Sequence, residues 1–350
     1  MSRSGAVHEP SDVHPAERVA AATRAAELRR TLIDGFRPIF DGISKTALFG
    51  YQANGNPGDA LIWQGQLALL EALDVEVVAV GGPRMLDEVT LRDLGRDVAF
   101  TLSGGGNFGD LWPTAHEFRE RVIEASAGRR LIQFPQSLCF QYDANADVVR
   151  KLLSARPDTV LTWRDERSLA QAQELFQGTR CELLPDASLA MQPMPRSCAP
   201  EIPLLGISRS DLEGSELSAM RLPGGEQTDW VAHRCLSSLG KRLPMWGILY
   251  LDDRFGPRLS QRARAALYAA AADVTIECGK DVVSRGQVVV SDRLHCHIFC
   301  LLLGIDHVMV DTRQGKIGSF IRTWTADVDC VHLADSPEGA VGVAQTLLGE

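Results

Sequence analysis

Long apolar runs are missing from this 350-residue chain. The longest, Ile298 to Ile305, is far short of the roughly 20 residues needed to span a bilayer. Met1 to Glu9 is polar with no apolar core after it, so no secretory leader is expected and the protein should be soluble and cytoplasmic. Paired cysteines are missing too. The eight cysteines, at 139, 181, 198, 235, 278, 296, 300 and 330, include no CxxC, and several lie in apolar runs. They read as small buried hydrophobes in a reducing compartment. Cys296 and Cys300 stand four apart with His297 between them, but no second cluster has matching ligand spacing. They read as a buried helix face, and no metal or other cofactor is expected. An excess of positive charge is the third absence. The net charge of −9 argues against nonspecific affinity for nucleic acid or an anionic membrane, while leaving room for a local cationic pocket. Internal repeats and low-complexity segments are also lacking.

What the chain does have is ordinary globular composition, 45% hydrophobic and 23% charged, at a length that predicts two domains. Residues 1–40 read as an N-terminal extension, disordered to about residue 13, followed by a helix that Pro15 opens and that runs to Leu32. Its arginines (Arg18, Arg24, Arg29, Arg30) suit a solvated face. They are also the feature through which the protein would lie near the inner face of a membrane. Residues 41–191 then alternate strand and helix. Strands are expected at Thr46–Tyr51, Val75–Val80, Val98–Leu102, Arg130–Phe134, Thr159–Trp163 and Cys181–Leu184, with a helix at Ala60–Leu73. Met191 to Pro200 carries three prolines in ten residues, which excludes helix and central strand, so 192–200 reads as a linker. Residues 201–350 restart the alternation. Strands are expected at Ile202–Ile207, Leu243–Tyr250, Val274–Cys278, Gln287–Val290, His307–Val310 and Cys330–Leu333. Helices are expected at Thr228–Leu239, Arg258–Ala271 and Pro337–Leu348. The fold class is therefore α/β, with two Rossmann-like β/α domains facing a central cleft.

The most informative stretch is Ser291-Asp292-Arg293-Leu294-His295, after the β-branched run Val288–Val290 and before an apolar helix that Gly304 stops. A carboxylate, a guanidinium and an imidazole thus stand at a strand-to-helix junction, the edge of an open α/β sheet where ligands bind. Two further second-half segments follow strands in the same way: Gly206-Ile207-Ser208-Arg209-Ser210 and Lys316-Ile317-Gly318-Ser319. Arg209, Arg293 and Lys316, with Ser319 and the backbone amides beside it if they begin a helix, point to a small multiply charged anion. In the first half, Asn56-x-Gly58-Asp59 and Asn107-x-Gly109-Asp110 echo one another at two strand ends. One copy would suggest only turns and caps, whereas two on one sheet edge suggest amides and carboxylates that meet sugar hydroxyls. Gly104, Gly106 and Gly109 have the nominal GxGxxG spacing. Pro113 interrupts the expected helix, however, and Arg129-Arg130 stand where the ribose-binding acid should be, so a nicotinamide site is ranked low.

Taken in order, Asn56-x-Gly58-Asp59, Gly104–Asp110, Gln136-Ser137, Arg164-Asp165-x-x-Ser168, Asp292-Arg293-Leu294-His295 and Lys316-Ile317 resemble the polysaccharide pyruvyl transferases over roughly residues 45 to 325. The resemblance implies a GT-B-like protein that moves the enolpyruvyl unit of phosphoenolpyruvate onto sugar hydroxyls, leaving a pyruvate ketal on a bacterial exopolysaccharide or cell-wall glycan. It implies that Arg293, Leu294 (through its backbone) and His295 hold phosphoenolpyruvate, with Arg209 as second arginine. The 201–350 domain is then the donor side and the 41–191 domain the acceptor side. Asn56, Asp59, Asn107, Asp110 and Gln136 would face a sugar or lipid-linked oligosaccharide.

The chemistry needs a proton on the methylene carbon and deprotonation of a hydroxyl. His295 is expected as acid–base or phosphate ligand, and Asp110 or Asp59 as the group that orients or deprotonates the hydroxyl. The alternatives are a nucleotide-sugar glycosyltransferase of the same architecture and a noncatalytic glycan-binding protein. Neither nucleic acid nor metal is expected as a partner, and a homo-oligomer is compatible with the sequence.

Overall fold

The computed structural model describes residues 19–51, 54–82, 93–209, 214–220, 222–230, 247, 259–312 and 315–349. Two sheets carry it. The first joins Lys45–Phe49 (β1), Glu76–Gly81 (β2), Ala99–Leu102 (β3), Gly105–Gly109 (β4), Leu131–Cys139 (β5), Thr159–Trp163 (β6) and Arg180–Leu183 (β7). Its order is β2-β1-β3-β5-β6-β7, with β4 also paired to β5. The second joins Ile202–Ile207 (β8), Glu226–Thr228 (β9), Gly286–Ser291 (β10), His307–Val310 (β11) and Val331–Ala334 (β12), in the order β12-β11-β10-β8-β9. Every pairing between these strands is parallel. Strands such as β5 and β10 are accordingly buried almost throughout, as sheets covered on both faces require.

The helices are Ala21–Phe36 (α1), Pro57–Ala72 (α2), Pro113–Ala125 (α3), Asp143–Ser154 (α4), Glu166–Leu175 (α5), Gln261–Ser284 (α6), Leu294–Leu303 (α7), Lys316–Trp324 (α8) and Pro337–Leu348 (α9). Several start where their residues dictate. Asn56 accepts the Gly58 N–H at 3.1 Å and Pro57 fills the first position of α2. Gly304, in the left-handed region at φ 64°, ends α7.

The largest apolar cluster lies between the sheets. It draws Leu28, Leu32 and Phe36 from α1, Trp63 and Leu70 from α2, Tyr268 and Ile276 from α6, and Phe299 and Leu302 from α7. Trp63 stacks on Tyr51 at 4.8 Å and meets Tyr268 edge-on at 5.7 Å. Burying each such side chain stabilises by about 1.5–3 kcal/mol, so the two sheets are held by one shared core. Close approach tightens the joint: a Cβ on Gly279 of α6 would fall 2.5 Å from Pro57 Cβ at the start of α2.

Several expectations change. Val274–Cys278 is not a strand but part of α6, because Thr275, Ile276 and Cys278 lie on the buried side of a 24-residue helix. The strand expected at Arg130–Phe134 runs on through Gln136-Ser137 to Cys139, and Gly105–Gly109 is a strand paired to it. Pro113 does not interrupt a helix. It opens α3, where a missing N–H costs nothing. The helix expected over Pro15–Leu32 instead starts at Ala21, after Ala20 in extended conformation, and runs to Phe36; Pro15 itself lies outside the described residues. Leu243–Tyr250 lies outside the described residues except for position 247, and Thr228–Leu239 does so from residue 231 onward. Among the described residues no helix is long and apolar enough to cross a membrane.

Candidate functional site

Among the described strands, each sheet has one point where the chain reverses its direction of winding. In the first it is β1, flanked by β2 on one side and β3 on the other; in the second it is β8, flanked by β9 and β10. Ligand crevices form at the carboxyl ends of strands at such points. The loops after β1 and β3 and those after β8 and β10 line one cavity of about 260 Å³. Asn56, Asp59 and Asn107 come to it from the first sheet; Arg209, Arg293, Leu294, His295 and Lys316 come from the second. Asp110, Gln136 and Ser319 are not among its lining residues.

The second-sheet rim is built around Asp292. Its fully buried carboxylate accepts the Arg209 N–H at 2.8 Å, and the Ser215 N–H and hydroxyl at 2.9 and 2.8 Å. The residue thus fixes the backbone that carries Arg209. Arg293 is anchored by Asp229 Oδ1 at 2.6 Å and lies 5.8 Å from the Trp230 ring. Lys316 Nζ reaches across the cavity to the Gly106 carbonyl at 3.3 Å. The helix amides beside it are already used: Asp311 accepts from Ile317 and Gly318 at 3.1 and 3.0 Å, and Ser319 N–H bonds Gly315 at 3.1 Å. The expected anion site at Gly318-Ser319 is therefore filled by the protein's own carboxylate.

On the first-sheet rim, Asp59 Oδ2 accepts from Asn54 and Asn56 at 2.8 and 3.1 Å. Asn107 is clamped from below. Its N–H bonds Gln136 Oε1 at 3.1 Å, and its side-chain oxygen accepts from Gln136 and from Arg119 at 3.0 and 2.8 Å. Gln136 therefore supports the rim from within β5. Arg119 is buried over the Phe108 ring at 4.4 Å, and that desolvation pulls its guanidinium down to about 9. Asp110 faces the other way. Its carboxylate accepts the Gln141 and Tyr142 N–H groups at 2.6 and 3.0 Å and the Asn145 amide at 2.9 Å, holding the start of α4. Burial raises this carboxyl, but those donors outweigh it and hold it below the usual carboxylate range.

Arg164 and Asp186 complete the site, and sequence reasoning gave neither of them a role in it. Arg164 follows β6 and lines the cavity; a Cβ on Gly106 would fall 2.9 Å from its Nη2. Its Nε donates to Ser137 at 2.9 Å and its Nη1 pairs with Asp186 at 2.7 Å. Asp186 Oδ2 also lies 3.5 Å from His295 Nε2. Burial pushes the Asp186 carboxyl up, but His295, Arg164 and Ser188 together hold it well below the usual range. A polar residue just past a strand was the available signal: Arg164 follows β6 as Arg209 follows β8, and Asp186 follows β7. Asn54, Trp112, Trp230 and Thr312 also line the cavity.

The fold and this cavity define a GT-B-like α/β protein with a cation-lined crevice between two parallel sheets, and the fold has a solved neighbour. A crystal structure of an uncharacterised protein from Klebsiella pneumoniae superposes with a TM-score of 0.57 at 14% identity, covering 88% of this chain and 99% of that one. The family profile for polysaccharide pyruvyl transferase matches residues 56–314, and the chain belongs to that family of transferases. Its relatives include pyruvyl transferase 1 of Schizosaccharomyces pombe, 29% identical over 83% of this chain and 72% of that protein. Another is EpsO of Bacillus subtilis, assigned by name to the pyruvyl transferases, 26% identical over 86% of this chain and 92% of that protein.

Proposed function

We propose that this protein transfers the pyruvyl group of phosphoenolpyruvate onto sugar hydroxyls of a polysaccharide or lipid-linked glycan precursor, forming a pyruvate ketal. The observation that carries this reading is the division of charge across one cavity. Arg209, Arg293, Lys316 and His295 stand on the second-sheet rim, opposite Asn54, Asn56, Asp59 and Asn107 on the first. Guanidinium groups suit a carboxylate and a phosphate on a three-carbon donor, and amides with a carboxylate suit a polyhydroxylated acceptor. Residues 41–191 are then the acceptor side and 201–350 the donor side, with 192–200 between them.

In the reaction, a proton from His295 adds to the methylene carbon of the donor, and the electrons of the C=C bond form the new C–H bond. A first sugar hydroxyl attacks the adjacent carbon while Asp59 accepts its proton. Phosphate then leaves with its bridging oxygen, and a second hydroxyl closes the ketal. Two hydroxyl protons are lost; one is balanced by the new methyl group and the other leaves on hydrogen phosphate. Donor and acceptor bound together between these two rims would share one geometry, which itself lowers the barrier.

The test is release of inorganic phosphate from phosphoenolpyruvate, measured across a panel of lipid-linked and nucleotide-linked sugars. Acceptor-dependent release with a stoichiometric mass gain on the sugar is expected. Protection by a nucleoside diphosphate, with no consumption of phosphoenolpyruvate, would instead indicate a glycosyltransferase. Sugar binding without release would indicate a glycan-binding protein.

A further inference from the structure

The residue left unexplained by donor and acceptor binding is Asp186. It is fully buried, yet it is not a simple salt-bridge partner. Oδ1 accepts the Ser188 N–H and hydroxyl at 2.9 and 2.5 Å, which fixes the carboxylate plane within its own turn. Oδ2 then faces two groups at once, Arg164 Nη1 at 2.7 Å and His295 Nε2 at 3.5 Å. The turn itself is immobilised. Arg29 Nε donates to the Ala190 carbonyl at 3.0 Å, and a Cβ on Gly65 of α2 would collide with the backbone of Ala187 and Ser188.

The imidazole is equally constrained. A Cβ added to Gly58 would fall 2.7 Å from His295 Nδ1 and 2.8 Å from Cβ and Cγ, so this edge of the side chain packs closely on the start of α2. Its Nε2 is buried without a hydrogen-bond partner, and the Asp186 carboxylate lies within ion-pair reach at 3.5 Å. Nδ1 is the other ring nitrogen of a side chain that lines the cavity. The other charged groups that face this cavity are Asp59, Arg209, Asp292, Arg293 and Lys316, together with Arg164.

We propose that Asp186 is a positioning residue that keeps a proton on His295 Nε2 throughout, so that Nδ1 is the atom that gives and takes the transferred proton. This rests on His295 handling protons in the proposed reaction. A carboxylate opposite one imidazole nitrogen fixes the tautomer and steadies the imidazolium, and substituting it by an amide can cost several orders of magnitude while the geometry survives. Arg164 serves the same end from the other side. By pairing with Oδ2 it keeps Asp186 ionised, and an ionised carboxylate can only accept. The consequence for the fold is that the acid–base group comes from the second sheet while its orienting carboxylate comes from the end of the first. The proton-handling unit exists only when the two sheets are packed together.

The decisive measurement is ¹⁵N NMR of histidine-labelled wild-type protein, with the His295 resonances assigned by their loss in His295→Gln. Neutral His295 is expected as the Nε2–H tautomer, and a Nδ1–H tautomer in wild type would overturn the proposal without any variant at Asp186. In Asp186→Asn, the amide can donate to Nε2, so the population should move toward Nδ1–H. With a competent acceptor, kcat should fall by about 10²-fold or more while KM for phosphoenolpyruvate stays within about threefold. Asp186→Glu should restore the Nε2–H tautomer in part. An unchanged tautomer in a folded Asp186→Asn protein would also overturn the proposal. Absence of any phosphoenolpyruvate turnover in wild type would count against the proposed function, and the NMR result would still decide the pairing.

Discussion

Two stretches of this chain carry nearly the same letters and end up with opposite tasks. Asn56-x-Gly58-Asp59 sits where a loop becomes a helix: Asn56 caps α2, Asp59 falls in its first turn, and its carboxylate gathers Asn54 and Asn56 on the cavity rim. Asn107-x-Gly109-Asp110 sits at the end of a strand, where alternate residues point to opposite faces. Asn107 reaches the cavity and Asp110, three residues on, is turned to the start of α4. The same contrast recurs in His295 and His297. The first lines the cavity. The second is fully buried, with Nδ1 2.7 Å from His307 Nε2 and Nε2 3.1 Å from the Thr325 hydroxyl. Residue type therefore does not separate chemistry from support; the element that presents the residue does.

The contrast can be broken most sharply at the histidines. His295→Ala should lower turnover by about 10²–10⁴-fold with little change in Tm, as read by phosphate release and calorimetry. The aspartates divide the same way. Asp59→Ala should cost about 10²-fold in kcat/KM and leave stability nearly intact. Asp110→Ala should leave kcat/KM of the folded protein near wild type but destabilise it by about 0.5–2 kcal/mol, since it removes the carboxylate that caps the backbone N–H groups before α4. Denaturant titrations and initial rates on the two variants check this together; a reversal of the two effects would mean that the loops have been assigned the wrong way round.

His297 and His307 predict a pH effect on stability. Burial pulls both below the ordinary value of 6.5, His307 to about 4, so the folded state refuses protons that the unfolded chain accepts. Stability should be complete above about 6.5 and decline as pH falls toward about 4. Thermal melts across that range test this, and replacing His307 by Asn should flatten the decline. The smallest effect should come from Arg150→Ala, which removes only an exposed pair with Asp147 at 2.7 Å. A change within about 0.5 kcal/mol is expected, and no change in rate.

The legible part of this molecule was the part written in short apolar runs. β8, β11 and α9 lie at Ile202–Ile207, His307–Val310 and Pro337–Leu348, the ranges expected from periodicity and turn residues. The strand-to-helix junction at Ser291–His295 was equally readable, because β-branched residues, polar residues and a glycine stop follow in sequence. What failed was the segment Val274–Cys278, since a five-residue stretch with three buried positions fits a strand or one side of a long helix equally well. Asp186 could not be ranked from sequence, because its meaning depends on α2 and α7 bringing His295 within 3.5 Å across 109 residues of chain. Asp110 and Ser319 are the reverse case, expected at the site but not lining the cavity. Strand pleat in one case and a capping carboxylate in the other take them out of the cavity.

The central claim is that guanidinium groups on the second-sheet rim grip a doubly anionic three-carbon donor. It is tested most directly by calorimetric titration of phosphoenolpyruvate into wild-type protein and Arg293→Ala. Saturable binding to wild type and a loss of tenfold or more in the variant, about 1.4 kcal/mol, are predicted. Equal binding to both proteins, or binding that a nucleoside diphosphate displaces while phosphoenolpyruvate gives no heat of its own, would contradict it.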